Sequence, residues 1–257
     1  MRVWTASLIF YLFIFIICEI LRYIIEYCFV GTLQLCTPMF DVNLILETYG
    51  LFGVFIEITA IELANCYFLR EAIAHPCPLI TSSTKKTKAF IRIVYVFAIQ
   101  LIAAYLSYFF AKIFWRLNFH KKHNDLLEME HCDSDLAVTI TTGCLIEGIA
   151  TFISKAIDYL INEHCESDFH TTSIINSAFS GFITALGINY TGMYANPIVA
   201  WACTFNCEGA THIAHLVVYW LSPLVGWYFA EAVFGETLCD IDSLFNDEQT
   251  ETVKKIK

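Results

Sequence analysis

The sequence predicts an all-α membrane protein with several spanning helices. Of its 257 residues, 57% are hydrophobic and only 16% are charged, and the mean hydropathy is +0.59. This composition is unlike that of a soluble domain, whereas spanning helices need roughly 20 apolar residues each. Several runs of that length occur. Besides the composition and these apolar runs, an Asn-Pro pair, Asn196-Pro197, closes one apolar run and begins another.

Seven apolar segments are long enough to cross a bilayer. The first lacks a small-residue cleavage site and continues into further apolar sequence, which indicates an uncleaved span rather than a signal peptide. Two shorter runs, His75–Ile80 and Pro197–Phe205, are predicted to be re-entrant half-helices because neither can span. The seven segments are Val3–Ile25, Tyr27–Leu46, Tyr49–Leu69, Ala89–Trp115, Leu136–Ile161, Thr172–Tyr194 and Ile213–Phe234.

Charge placement predicts the orientation of these spans. Lys85, Lys86 and Lys88 crowd one short loop, which the positive-inside rule places in the cytoplasm. The loop Asn118–Asp135 is net acidic and is then expected to face the lumen or the exterior, with the C-terminal tail in the cytoplasm. The formal net charge of −10 lies mainly in loops and the tail, so we infer no nucleic-acid partner.

Two Pro-containing motifs occupy similar places in the two halves of the chain: a first box, His75-Pro76-Cys77, and a second box, Asn196-Pro197-Ile198. Asn suits the position that caps a helix, and Pro suits its first turn. A helix can begin inside a bilayer only where its backbone is buried in protein or lines a watery cavity. The paired placement favours a site at the interface of an inverted repeat. Two unrelated Pro-containing loops are the alternative.

The residues around the second box resemble the aquaporin superfamily. The run TGMYANPIVAWACTFNCEGATHIAHLVVYWLSPLVGW is similar to the Asn-Pro-Ala loop and last helix of its unorthodox subcellular branch, the aquaporin-11 and aquaporin-12 group. That branch carries a Cys eleven residues after the motif Asn, here Cys207. More weakly, Thr32–Cys36 resembles the branch's first core helix, and the first box resembles its Asn-Pro-Cys box. The resemblance covers about Tyr27 to Phe234.

This resemblance implies an aquaporin-like fold of six core transmembrane helices and two re-entrant half-helices in an inverted repeat. An additional N-terminal hydrophobic helix precedes them. The expected organisation is an N-terminal hydrophobic segment over 1–25, a channel domain over 26–235 and a cytoplasmic tail over 236–257. The resemblance implies structural roles for Gln100, Glu147 and Cys207. It also implies a homotetramer in the lipid bilayer.

The chain departs from the family pattern at four positions. His75 replaces Asn in the first box, Ile198 replaces Ala in the second, and Val199 stands where orthodox water channels have Arg. Cys28 stands where the first core helix is expected to carry Glu. Counting from the boxes by resemblance, the narrow filter is predicted to consist of Phe55, Thr184, Met193 and Val199.

The predicted function is passive transport of water and of small neutral solutes, such as glycerol or hydrogen peroxide. A non-conducting structural membrane protein of the same fold is the alternative. His75 is expected to be neutral beside two helix N-termini, and gating of the pore by its protonation is the competing hypothesis. The scattered His residues invite a metal-enzyme interpretation, but the predicted topology divides them between the two sides. We therefore expect no enzyme, metal or cofactor.

The C-terminal residues Lys254-Lys255-Ile256-Lys257 fit a Lys-Lys-x-x pattern. The pattern resembles a cytosolic retrieval signal and favours the endoplasmic reticulum, with the plasma membrane as the alternative. The eleven Cys residues lie mostly in apolar runs and predict no disulfide framework of the secreted type. Cys132 and Cys165 are the candidates for loop positions.

Overall fold

The computed structural model describes residues 2–81, 87–129, 131–164 and 168–235. Lys85, Lys86, Cys165 and the tail 236–257 with its terminal Lys-rich motif lie outside these ranges. The described residues form helices and no strand, with one isolated β-bridge between Asp133 and Glu208. The helices are α1 (Val3–Leu21), α2 (Tyr27–Cys36), α3 (Val42–Phe68), α4 (Cys77–Thr81), α5 (Thr87–Trp115), α6 (Lys121–Glu128), α7 (Ile140–His164), α8 (Phe169–Thr191), α9 (Pro197–Thr204), α10 (His212–Leu216) and α11 (Ser222–Phe234).

Five helical stretches of the described chain are long and apolar enough to cross a membrane. One of them, Tyr27–Phe68, joins α2 and α3 through a short 3₁₀ turn and contains a break at Gly50, where φ is +67°. The break falls next to Tyr49, where the sequence predicted a new span to begin. The 25-residue helix α7 is also of spanning length, but it is more polar because Glu147, Lys155 and Asp158 lie within it.

Helix packing follows the internal repeat. Helix α2 packs on α5 in the first half, α7 packs on α11 in the second half, and α3 packs on α8 between the halves. The half-helices α4 and α9 contact α11 and α5, the last long helix of the opposite half. This arrangement is the predicted aquaporin-like fold, with one re-entrant half-helix in each half.

Two glycines allow the closest helix contacts. A Cβ added to Gly226 of α11 would lie 2.2 Å from the carbonyl oxygen of Gly148 on α7. A Cβ added to Gly181 of α8 would lie 2.7 Å from the carbonyl oxygen of Phe55 on α3. Small residues at these crossings let the backbones approach, which is how helices commonly pack inside membranes.

Helix α1 packs against the helical bundle. Phe10 and Ile14 are fully buried in a cluster with Val30 of α2 and Phe114 of α5. The Tyr11 hydroxyl donates to the Glu57 carboxylate on α3. Buried intramembrane carboxylates need such partners, so α1 supplies polar as well as apolar contacts. The domain boundary predicted at residue 25 stays a prediction.

The segment between α5 and α7 was expected to be a loop, but it contains the short helix α6. The His120 imidazole caps this helix, because its Nδ1 accepts the backbone N–H of Lys122 at 3.2 Å. On α6, His123 is fully buried and its Nε2 lies 3.0 Å from an Asp41 carboxylate oxygen. This buried contact holds the polar helix against the bundle.

Substituting Gly226 tests the close crossing of α7 and α11. Gly226→Val should lower the free energy of unfolding by about 2 kcal/mol or more, because the new side chain meets backbone rather than a flexible side chain. Chemical denaturation in detergent measures the loss. The matched control is Ala232→Val on the same helix, where the side chain is exposed. Equal stabilities of the two variants would contradict the packing assigned to Gly226.

Candidate functional site

The second box forms the start of a half-helix. Asn196 is the N-cap of α9, and its side-chain Oδ1 accepts the backbone N–H of Ile198 at 3.0 Å. Pro197 is in the first turn, where its missing N–H leaves no hydrogen bond unmade. The local sequence therefore produces both the break in the chain and the new helix.

The first box reaches the same geometry with a different side chain. The Nδ1 atom of His75 accepts the backbone N–H of Cys77 at 3.2 Å. The backbone N–H groups of Leu79 and Ile80 donate to the Pro76 carbonyl oxygen, both at 3.1 Å. An imidazole nitrogen thus provides the acceptor that an Asn side chain provides in the second box.

The two boxes exchange hydrogen bonds across the middle of the bundle. The His75 Nε2 lies 3.2 Å from the carbonyl oxygen of Ala195, and the Asn196 Nδ2 donates to the carbonyl oxygen of Ala74 at 3.3 Å. Each capping residue therefore bonds the residue that precedes the opposite box. This pattern assigns His75 as the neutral tautomer with its proton on Nε2, since Nδ1 is already an acceptor.

The exchange leaves the two boxes chemically unequal. A neutral imidazole has one N–H, and at His75 it is directed to Ala195. An Asn amide has two N–H donors, of which Asn196 uses one on Ala74. Among the described residues the second N–H of Asn196 has no acceptor, whereas the single N–H of His75 is already used.

Glu147 holds the chain that leads into the second box. Its carboxylate accepts the Thr191 hydroxyl at 2.6 Å and the backbone N–H groups of Tyr194 and Ala195 at 3.2 and 2.8 Å. The residue is fully buried. These bonds satisfy two backbone N–H groups that lie outside any helix, and the structural role predicted for Glu147 stays a prediction.

Gln100 has the corresponding position beside the first box. It is fully buried on α5, and its Nε2 donates to the Ile73 carbonyl oxygen at 2.6 Å. Glu147 thus accepts two backbone N–H groups before the second box, whereas Gln100 donates to one backbone carbonyl before the first. Cys28, at the position where the family pattern has Glu, is buried in an apolar contact with Leu79 and Val96.

Cys207 forms a disulfide with Cys132. The sequence predicted no disulfide framework, and the described residues contain this one bridge, because the fold brings together two cysteines that are 75 positions apart. It fastens the segment before α7 to the end of α9. In the sequence, Cys132 follows the C-terminal end of α5 by way of α6, whereas the Lys-rich stretch 85–88 lies at its N-terminal end.

A cavity of about 90 Å³ lies beside the second box, which is enough for several water molecules. Asn196 lines it, and so do three of the four predicted filter residues, namely Thr184, Met193 and Val199. Helix α3 contributes Ile58 and Glu62 among other residues to its wall. The predicted filter residue Phe55 lies near Gly181 through its carbonyl oxygen and is not among the described residues that line this cavity.

Two carboxylates line the cavity, and the sequence did not assign either of them to the site. Glu62 follows Ile58 by four positions, so one helix face carries both, and counting along that face would have found it. Asp135 gave no comparable signal, because it belongs to a connecting segment that the fold brings to the cavity.

Asp135 is held in a polar but shielded setting. Its carboxylate accepts the Tyr194 hydroxyl and the Asn43 side-chain amide, the latter at 3.4 Å. Burial raises the pKa of Asp135 above its ordinary value, while the hydrogen bonds from Tyr194 and Asn43 act in the opposite direction.

The histidines outside the first box make separate contacts. His123 pairs with Asp41, His215 lies 3.3 Å from the Ala200 carbonyl oxygen, and His170 contacts the Tyr67 hydroxyl. No group of three potential metal ligands occurs within the part of the chain that the structure describes.

Comparison with known proteins finds similarity to aquaporins. No family model matches the chain. It is 25% identical over 232 residues to aquaporin-11 of Milnesium tardigradum, covering 86% of this chain and 83% of that protein. It is 23% identical over 212 residues to a Caenorhabditis elegans protein provisionally named aquaporin-10, with coverages of 82% and 74%. A shorter match, 33% over 89 residues, covers 35% of this chain and 36% of aquaporin SIP2-1 of Zea mays.

These similarities, together with the long apolar helices, support a multi-pass membrane protein of the aquaporin fold, in the unorthodox branch of that superfamily. The relationship indicates a channel rather than an enzyme. In this chain the two boxes, Glu147 and the cavity are linked by direct contacts around Tyr194 to Asn196.

Glu147 provides the test of how the second box is held. Glu147→Ala leaves the N–H groups of Tyr194 and Ala195 without their acceptor. Because hydrogen bonds to a charged group contribute about 1.5–3 kcal/mol each, the variant should lose about 3 kcal/mol or more of unfolding free energy in detergent. Glu147→Gln keeps an acceptor oxygen and should lose less. Glu47→Ala, at an exposed side chain, is the control, and a Glu147→Ala variant as stable as this control would contradict the assignment.

Proposed function

We propose that this aquaporin forms a channel for the passive movement of water and small neutral solutes, such as glycerol and hydrogen peroxide. The observation that carries the proposal is the hydrogen-bond exchange between the two boxes, beside a cavity that reaches Asn196. The exchange fixes two half-helices with their N-termini facing each other. Partial positive charge at those ends disfavours cations in the channel.

The proposed filter consists of Phe55, Thr184, Met193 and Val199. Val199 supplies an apolar wall where an orthodox filter has Arg, so the filter carries no guanidinium to bind a solute oxygen. Beyond the filter residues, the second side-chain N–H of Asn196 provides a hydrogen-bond donor for a passing solute. A wall of this kind suits neutral solutes larger than water as well as water itself.

The disulfide between Cys132 and Cys207 supports the proposed orientation. Disulfides persist in oxidising compartments, which agrees with a lumenal or extracellular position for this end of the bundle. The Lys-rich loop, at the other end of α5, is then cytoplasmic as the positive-inside rule predicts. We propose residence in the endoplasmic reticulum membrane, and a homotetramer by family resemblance.

Reconstitution into lipid vesicles tests the channel. Stopped-flow shrinkage should exceed that of protein-free vesicles for water and for at least one of glycerol and hydrogen peroxide, each measured separately. Flux equal to that of protein-free vesicles for all three would overturn the proposal and favour the non-conducting structural alternative.

The inequality of the boxes predicts the effect of one substitution. His75→Asn should increase water flux between about twofold and tenfold, because the amide restores a second donor and one hydrogen bond is worth about 0.5–1.5 kcal/mol. Stopped-flow light scattering measures the change. His120→Asn is the matched control, since His120 also caps a helix through Nδ1 but does so at the start of α6, away from the boxes. Wild-type water flux should not vary with pH across the ordinary titration range of histidine. A steep pH dependence that disappears in His75→Asn would instead favour gating by His75.

A further inference from the structure

The segment before α7, which contributes Asp135 to the cavity wall, is fastened to its neighbours. The disulfide joins it to Cys207 at one point. Beside that bridge, the backbone N–H of Ser134 donates to the Glu208 carbonyl oxygen at 2.7 Å, and the Glu208 N–H donates to the Cys132 carbonyl oxygen at 2.8 Å. The Ala137 N–H donates to the Tyr190 carbonyl oxygen at 2.9 Å. These bonds fix the segment on both sides of Asp135.

Asp135 is directed at the filter by this segment. It lines the same cavity as Met193 and Val199. Its side chain receives hydrogen bonds from Tyr194, which is next to Met193, and from Asn43 on α3. A Cβ added to Gly192 would lie 3.1 Å from the Asp135 Cβ, so the two chain segments are in direct contact.

The carboxylate has acceptor capacity left over. Two carboxylate oxygens together offer about four lone-pair sites, and the two bonds from Tyr194 and Asn43 use two of them. The remaining sites can accept hydrogen bonds from a molecule in the cavity. A carboxylate accepts and does not donate, whereas the Arg of an orthodox filter only donates. Compared with that Arg, Asp135 therefore has the opposite charge and the opposite hydrogen-bonding role.

We propose that Asp135 determines the solute specificity of this channel by binding neutral solutes that are rich in hydrogen-bond donors, namely small polyols. The proposal rests on the channel function proposed above and names its substrate class. A polyol hydroxyl donates to the Asp135 carboxylate while the apolar side of the molecule lies against Val199 and Met193. Anionic solutes are repelled by the same carboxylate.

Flux ratios test the role of Asp135 independently of expression level. In vesicles containing Asp135→Asn, the ratio of glycerol flux to water flux should fall about fivefold or more, because the amide lacks the charge and half of the acceptor capacity. Asp133→Asn is the matched control, since Asp133 is exposed on the same segment. An unchanged ratio in Asp135→Asn, with water flux retained, would overturn the proposal.

A second measurement needs neither a variant nor transport. In detergent, wild-type protein is treated with a water-soluble carbodiimide and an amine, and modification of Asp135 and Asp133 is followed by peptide mass mapping. Glycerol should slow modification of Asp135 several-fold and leave Asp133 unaffected. Protection of Asp135 without any vesicle flux would preserve the polyol site while refuting the channel. Equal rates at Asp135 with and without glycerol would refute the polyol site even if water flux is normal.

Discussion

Backbone donors in the middle of a bilayer require acceptors in the protein or in a watery cavity, because lipid offers none. Two half-helices begin at this depth, and the first N–H groups of any helix have no partner within the helix. His75 and Asn196 each accept the N–H two positions ahead. Glu147 accepts two more in the chain before the second box. The close helix crossings at Gly181 and Gly226 hold α3, α8, α7 and α11 together around these hydrogen bonds.

The same requirement explains how His can replace Asn in the first box. The position needs an acceptor for its own helix and a donor for the opposite chain, and a neutral imidazole has one of each. Its larger ring also gains packing, because the His75 and Trp227 ring centroids are 4.8 Å apart. Trp227 is itself fixed by a hydrogen bond from its indole N–H to Glu231 at 2.6 Å. The replacement leaves His75 with no N–H beyond the one directed to Ala195.

Local chemistry decided which parts of the structure the sequence could predict. The cap at Asn196, the Pro at position 197 and the buried Glu147 each follow from a single residue in an apolar setting, and a new span was predicted to begin beside Gly50. The disulfide, the helix α6 and the approach of Asp135 to the cavity depend on contacts between distant segments, which periodicity and spacing do not reveal. Counting from the boxes brought Thr184, Met193 and Val199 to one cavity. Phe55 does not line that cavity, because counting along the sequence does not reveal how α3 is rotated about its axis. In the structure the Phe55 carbonyl oxygen faces the helix crossing at Gly181.

Val199 stands where an orthodox filter has Arg, and Asp135 lines the same cavity. Exclusion of cations by the proposed channel therefore has to come from another part of the structure. In the proposed channel the carboxylates of Asp135 and Glu62 line the cavity beside the filter residues, and these groups attract cations rather than exclude them. The opposing field comes from the N-termini of the half-helices, whose partial positive charges act at the boxes. That field depends on both helix starts remaining aligned, which the bonds from His75 to Ala195 and from Asn196 to Ala74 secure. The capping function can therefore tolerate a change of residue type in the first box but not the loss of the exchange itself.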